Sequence, residues 1–297
     1  MGLTEVKFDD LPGARVLADG LAFPESPRFV DSEIYLSDMT AVRAVDLSGN
    51  ARLVAELPTP LVLGIDVTDT GTVYAGAAFD RKIFRIVDGN PELHADLSTA
   101  TDKPINEFVV LPSGAIIVGS MGFNPLIDGF DGAKPARMLV WSPDGTIQET
   151  GPAMYFANGI VPRHHRRTLW VMEAEVNPTV HRFGLAENGE ILSDDPTVLP
   201  EPLRPDGMCL TSSDSLWYAD MSRGGAVLID AAGQGQVFLD VPEPHAPSCV
   251  AYHDGDREWL AICVTAAGPG VGDPNARTGR LIAAPLSEIL AAADIEN

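Results

Sequence analysis

Four polar residues stand out by type and by place: Glu25 in FPESPRF, Asn106 in PINEFVV, Asn158 in FANGIVP and Asp206 in RPDGMCL. Each offers a side-chain oxygen, and none of the four is a His or a Cys. A donor set made only of carboxylate and amide oxygens suits a hard cation, Ca²⁺ first, with Mg²⁺ or Mn²⁺ next. Zn²⁺ prefers nitrogen or sulfur, and would occupy such a site adventitiously. Taken singly these residues say little, because NG and DG are turn dipeptides and a lone Glu is an ordinary solvated carboxylate. Their recurrence is what matters. Each lies about ten residues upstream of a repeated apolar strand. Four oxygen donors facing one channel are costly to desolvate unless a cation pairs with them.

The strands that must position them recur through the chain: EIYLSDM (33–39), TVYAGAA (72–78), AIIVGSM (115–121), TLWVMEA (168–174), SLWYADM (215–221) and EWLAICV (258–264). A second strand follows each one: VRAVDL, KIFRIV, RMLVWS, TVHRFG, AVLIDA and RLIAAP. A polar turn and a third strand come next. Apolar alternation with regular turn signals is the mark of antiparallel sheet. A spacing of about 40 residues matches one four-stranded blade. The pattern predicts an all-β fold, a six-bladed β-propeller with four-stranded blades around a central channel, in one domain over 1–297. The competing all-β architecture is a two-sheet sandwich. The segment ARVLADG (14–20) reads as an outer strand that completes the sixth blade and closes the ring. The tail PLSEILAAADIEN reads as a last strand or a short helix. Aligned on Ile34, Val73, Ile116, Leu169, Leu216 and Trp259, the repeats put Glu25, Gly64, Asn106, Asn158, Asp206 and either Pro247 or Ser248 at equivalent positions.

At these residues the chain resembles the SMP-30/gluconolactonase/LRE (regucalcin-like) family, from about Leu17 to Pro285. The Glu of that family's E-G-P-x-W segment corresponds to Glu25 in ESPRF. The Asn of its N-G segment corresponds to Asn158, and the Asp of its P-D-G segment to Asp206. The resemblance implies that Glu25, Asn158 and Asp206 bind one divalent ion, and that Asn106 contacts substrate or the reacting water. It further implies hydrolysis of a lactone, typically a sugar lactone. A divalent ion polarises the carbonyl and lowers the pKa of water. Asp206 then acts as ligand and base, and Asn106 steadies the oxyanion or orients the water.

The chain also departs from the family pattern. Sugar lactonases of the animal type carry Arg two residues before the channel Asn, where this chain has Pro104. The run GSMGFNPLIDGF lacks the acidic residue expected after G-T-M. Met121 and Phe123, with Tyr155 and Phe156, stand where polar substrate contacts are expected, which points to a substrate less polar than an aldonolactone. The ordinary alternative is that they are core or rim residues. The segment 122–136 reads as a loop, either a lid over the channel mouth or a passive connector. His245 in PEPHAPS is a candidate acid–base partner or substrate contact, or a structural rim residue. The cluster in PRHHRR (162–167) reads as a solvated turn, and GPGVG (268–272) as a loop.

The bulk properties narrow the partners. A net charge of −22 and a pI of about 4.4 repel nucleic-acid phosphate and anionic lipid. The expected partner is a small-molecule substrate, with neither nucleic acid nor membrane; oligomeric state is left open. Three cysteines, Cys209, Cys249 and Cys263, do not make a disulfide framework, and buried thiols fit a reducing, cytoplasmic setting. The N-terminus lacks the apolar core of a secretory signal. No G-x-S-x-G elbow, phosphate-binding G-x-x-x-x-G-K-[ST] loop or zinc-finger spacing occurs. Besides the lactonase, three readings stay open: a phosphotriesterase-like hydrolase using the same Lewis acid, a non-hydrolytic enzyme on the same scaffold, and a calcium-binding or scaffold propeller.

Overall fold

The apolar repeats form strands throughout the computed structural model, which describes residues 3–199, 204–230, 233–266, 275 and 277–295. Two strands precede the repeats, β1 (Thr4–Lys7) and β2 (Arg15–Leu21). Blade 1 follows as β3 (Pro24–Val30), β4 (Glu33–Asp38), β5 (Ala41–Asp46) and β6 (Ala51–Glu56). Blade 2 is β7 (Val62–Val67), β8 (Val73–Ala77), β9 (Lys82–Val87) and β10 (Asn90–Asp96). Blade 3 is β11 (Ile105–Val110), β12 (Ile116–Ser120), β13 (Ala136–Trp141) and β14 (Ile147–Met154). Blade 4 is β15 (Ala157–Arg163), β16 (Thr168–Glu173), β17 (Thr179–Leu185) and β18 (Ile191–Val198). Blade 5 is β19 (Pro205–Leu210), β20 (Leu216–Asp220), β21 (Gly225–Ile229) and β22 (Gly235–Asp240). Blade 6 is β23 (His245–Asp254), β24 (Arg257–Thr265) and β25 (Gly279–Pro285), with β2 paired antiparallel to β25 as its fourth strand. The fold is the six-bladed β-propeller that the repeats predict.

Burial follows position within a blade. The first strands β7 and β11 are buried at every residue, whereas the fourth strand β18 is exposed over most of its length. A strand covered on both faces reads as a continuous apolar run, and one with a wet face alternates. β4 and β16 alternate in this way over their first four residues, and β4 ends on buried residues.

The chain groups into two compact units: residues 1–39, 43–53 and 203–297, and residues 40–42 and 54–202. In the first, one apolar core joins Trp217, Leu239, Ile262 and Ile289, and another joins Leu36, Val45, Ala261 and Leu281. In the second, Ile117, Val140, Val171 and Phe183 share a core, and Ile83, Phe108, Ile116 and Val118 share another.

Several local expectations need correction or sharpening. The tail forms helix α2 (Leu286–Ala292), which follows the short α1 (Pro125–Asp128) in chain order and buries Leu286, Ile289 and Leu290. The segment 122–136 is not loop alone: Asn124 caps α1 by accepting from the Leu126 backbone N–H, and a 3₁₀ turn follows at Phe130–Gly132. The N-terminus contributes β1, a fifth strand paired parallel to β22, which no repeat signalled. In PRHHRR, His164, His165 and Arg167 are exposed, but Arg166 is not solvated. Its guanidinium meets Asp66 at 2.5 Å, with the two side chains 11% and 3% exposed. It also donates to the carbonyls of Val110 and Val67, and Asp66 accepts from the Val110 N–H. All three cysteines are free and buried, with Cys209 Sγ and Cys249 Sγ 3.5 Å apart. GPGVG lies outside the described residues.

Candidate functional site

Strand register puts the sequence alignment on a structural footing. In each blade, one residue near the start of the first strand pairs with one at or near the end of the second; a β-bulge follows at once in blades 2 to 6, and in blade 1 it follows one pair later, after Glu25↔Ser37. The pairs are Pro24↔Asp38, Val62↔Ala77, Ile105↔Ser120, Ala157↔Glu173, Pro205↔Asp220 and His245↔Thr265. The residue after each paired position is Glu25, Leu63, Asn106, Asn158, Asp206 or Ala246. A bulge inserts unpaired residues and re-aims their side chains, which is why bulges recur beside functional sites.

Two of the aligned positions therefore move. In blade 2 the equivalent residue is Leu63, not Gly64. A Cβ on Gly64 would stand 2.7 Å from the Asn106 carbonyl oxygen, so this glycine lets β7 approach the next first strand. In blade 6 the equivalent residue is Ala246, not Pro247 or Ser248. The β23–β24 hairpin pairs two residues further beyond the Trp259↔Tyr252 pair than the other hairpins do beyond theirs, so the matching anchor is Ala261. Asn158-Gly159 and Asp206-Gly207 lie inside β15 and β19 rather than in turns.

In the second unit, Asn106 and Asn158 are both buried, and Asn106 Nδ2 donates to Asn158 Oδ1 at 2.7 Å. That bond fixes both amides: Asn158 presents an oxygen with a lone pair to spare, and Asn106 keeps a second N–H. Glu107, also buried, accepts from the Ile160 N–H at 2.7 Å and ties β11 to β15. Behind Asn158, the Glu173 carboxylate accepts from the Tyr155 N–H at 2.7 Å and meets His181 Nε2 at 3.3 Å. The other ring nitrogen of His181 lies 3.1 Å from both Asp194 oxygens. Burial alone lowers the pKa of His181, but hydrogen bonds to Glu173 and Asp194 outweigh it and raise the pKa above the ordinary histidine value.

Phe156, just before Ala157, holds φ at 67°, an unusual conformation for a bulky residue. Its ring meets Phe123 edge-on at 5.7 Å, and Phe123 meets Phe130 in the same way. Met121 and Phe123 are both buried.

In the first unit, Glu25 is buried. The following residue, Ser26, holds φ at 51°, the left-handed region that glycine adopts freely. Ser26 thus fills the place of the glycine in the family's E-G-P segment while keeping that backbone conformation. Asp38 is buried, accepts from the Ala22 and Phe23 N–H groups at 2.6 and 2.9 Å, and pairs with Arg43 Nε at 2.7 Å. Asp206 is partly exposed, between buried Pro205 and Gly207. A Cβ on Gly207 would collide with Ser248, so β19 and β23 pack too closely there for any other residue. Asp220 is fully buried; its Oδ1 accepts from the N–H groups of Ser222 and Arg223. Burial, and then the negative charges of Glu25 and Asp38, push the Cys263 thiol well up, so it stays protonated. His245 is partly buried, with Nδ1 2.9 Å from the Met221 carbonyl oxygen, which it meets as a donor.

The donor chemistry fits a hard cation better than a zinc-type cluster. Among the described residues, no three His, Cys, Asp or Glu side chains group as a metal site. The expected ligands include only two residues of those types, Glu25 and Asp206, and complete the set with the amide of Asn158. Asp220 Oδ2 and Ser248 Oγ are buried without a hydrogen-bond partner among the described residues. Buried polar atoms of that kind call for an ion or a water. No helix among the described residues is long and apolar enough to cross a membrane.

Comparison with known proteins gives one family. The family model described as "SMP-30/Gluconolactonase/LRE-like region" matches residues 23–268. No curated protein matches the chain. Among solved structures, the chain is similar to regucalcin from Agrobacterium tumefaciens, described as a calcium-binding protein, at 17% identity and TM-score 0.70 over 95% of both chains. It is similar to a luciferin-regenerating enzyme at 15% identity and TM-score 0.69, covering 91% of this chain and 94% of that one. It is also similar to a gluconolactonase from Xanthomonas campestris at 19% identity and TM-score 0.66, covering 92% of this chain and 89% of that one. At these identities the likeness shows the shared propeller fold.

Proposed function

The chain belongs to the SMP-30/gluconolactonase/LRE-like family, and from that premise we propose that it is a divalent-metal-dependent hydrolase that opens a small lactone. One observation supports the reading: Glu25, Asn158 and Asp206 each follow the residue that pairs with the end of the second strand in three different blades, at or beside the β-bulge, and each supplies oxygen. These three residues would hold the ion, for which Ca²⁺ is the best match to an all-oxygen set. When bound, such an ion polarises a carbonyl oxygen and lowers the pKa of water.

The chain's own groups supply the rest. Asp206, more exposed than Glu25 or Asn158, is the group placed to take the proton from the attacking water. Asn106 spends one N–H on Asn158 and offers the other to the developing oxyanion. The buried Met121 and the Phe123–Phe130–Phe156 group favour an apolar substrate wall. Pro104 removes the positive charge that would recognise a polyhydroxylated acid derivative. The substrate class is therefore a lactone less polar than an aldonolactone. In this reading segment 122–136, which supplies Phe130, forms part of that wall, and His245, at the start of β23, is a further substrate contact.

Metal analysis of the purified protein, followed by a panel of aliphatic and sugar lactones with and without chelator, tests the reading. The expected result is chelator-sensitive turnover with the higher kcat/KM on the aliphatic lactones. A strong preference for gluconolactone overturns the substrate class. Turnover of phosphotriesters alone, or no metal-dependent turnover, overturns the lactonase reading in favour of the phosphotriesterase or the calcium-binding propeller.

A further inference from the structure

The six register pairs divide in a way that the ligand assignment does not require. Behind the three proposed ligand positions, the paired residue on the second strand is acidic in every case: Asp38 beside Glu25, Glu173 beside Asn158, Asp220 beside Asp206. Behind the other three, it is Ala77, Ser120 or Thr265. Asp38 and Asp220 are buried, and the Glu173 side chain is 13% exposed. Burying three carboxylates in an already acidic protein is unfavourable unless each is hydrogen-bonded or paired with a cation; Asp38 meets Arg43 at 2.7 Å and Glu173 meets His181 at 3.3 Å.

Each carboxylate accepts backbone N–H groups, Asp38 and Glu173 from the segments that lead into a ligand position and Asp220 from the turn after its own strand. Asp38 accepts from Ala22 and Phe23, the segment leading into Glu25. Glu173 accepts from Tyr155, which precedes the strained Phe156 and the Asn158 strand. Asp220 accepts from Ser222 and Arg223, while the next residue, Met221, donates its N–H to the Arg204 carbonyl just before Pro205-Asp206. A carboxylate accepting backbone N–H groups makes charge-assisted bonds, stronger than neutral ones. Asp220 also keeps its Oδ2 buried without a hydrogen-bond partner among the described residues.

We propose that Asp38, Glu173 and Asp220 are positioning residues for a bound divalent cation. Asp38 and Glu173 lock the segments that lead into Glu25 and Asn158 through backbone hydrogen bonds, Asp220 orders the turn after β20, and all three put a carboxylate behind a proposed ligand position. The inference rests on the metal reading above. Outer groups that orient ligands are worth about 10- to 100-fold in metal affinity.

The test is calorimetric titration of the metal-stripped full chain with Ca²⁺. The protein set is wild type, Asp38→Asn, Glu173→Gln, Asp220→Asn, the charge-keeping Glu173→Asp, and Glu187→Gln, which removes a carboxylate that is 88% exposed. The expected result is a loss of about tenfold or more in affinity for each buried amide variant. Glu173→Asp should retain more affinity than Glu173→Gln, and Glu187→Gln should match wild type. Thermal unfolding of the metal-free proteins identifies any variant that fails to fold, and the Glu173→Asp against Glu173→Gln contrast then decides. Wild-type affinity in all three amide variants overturns the inference alone, as does an equal loss in Glu187→Gln. A wild type that binds no divalent ion overturns the metal reading and this inference with it.

Discussion

Blades 2 and 4 share a backbone and differ in chemistry. In both, the first strand pairs at its opening residue with the end of the second strand, and a bulge follows. Blade 4 places Asn158 on the bulge with Glu173 beside it; blade 2 places Leu63 there with Ala77 beside it. Gly64 and Gly119 serve the shared part, since a Cβ on either would press on the next blade's first strand. The repeat therefore supplies six equivalent platforms, and side-chain identity at two positions decides which become polar. The bulge alone therefore does not mark a proposed ligand position; the proposed positions also carry an oxygen donor with a carboxylate behind it.

The sharpest way to break the comparison is to convert one blade into the other. Asn158→Leu gives blade 4 the blade 2 residue, and we expect Ca²⁺ affinity to fall by at least about 100-fold in titration while circular dichroism stays that of the wild type. The Asp66–Arg166 pair offers the opposite contrast, a buried charge satisfied by protein alone. Arg166→Ala leaves Asp66 buried without its cation and should cost about 3–5 kcal/mol in denaturant unfolding, with metal affinity in the folded protein retained.

A smaller effect concerns His181, which is flanked by Glu173 of β16 and Asp194 of β18, with the Phe183 ring stacked at 5.3 Å. Its folded-state pKa is raised. Its contribution is thus complete below the unfolded histidine pKa of about 6.5 and is lost as pH rises through the folded value. Denaturant midpoints should fall between pH 6 and pH 9 by more in wild type than in His181→Gln; equal slopes would remove His181 from the account. Smallest of all is Ser26→Gly. Relief of positive-φ strain and the added freedom of the unfolded chain are each worth about 1 kcal/mol and oppose one another. The melting temperature should therefore shift by no more than a few degrees, with metal affinity intact.

Most of the architecture was legible because the β-period and the turn residues repeat. The acids behind the ligands were also visible, as the charge ending EIYLSD, TLWVME and SLWYAD but not TVYAGA, AIIVGS or EWLAIC. An acid at the end of one apolar strand has no meaning by itself; only the register with the first strand puts it beside a proposed ligand position. Leu63 and Ala246 were misplaced for a geometric reason: spacing counts residues, whereas register counts pairs, and the β23–β24 hairpin is longer than the others. Arg166 was misread because its partner Asp66 lies a hundred residues away, and no local pattern signals a long-range ion pair. Strand β1 was missed since a four-residue strand that pairs in parallel carries almost no periodicity of its own.

The central claim is that Glu25, Asn158 and Asp206 hold one divalent ion, and metal content is its most direct test. Wild type and the variants Glu25→Gln, Asn158→Leu and Asp206→Asn, equilibrated with Ca²⁺ and desalted, are compared by elemental analysis. The account predicts a stoichiometric ion in wild type and its loss in all three variants with the fold retained. Equal metal content in wild type and the variants, or none in wild type, would contradict it.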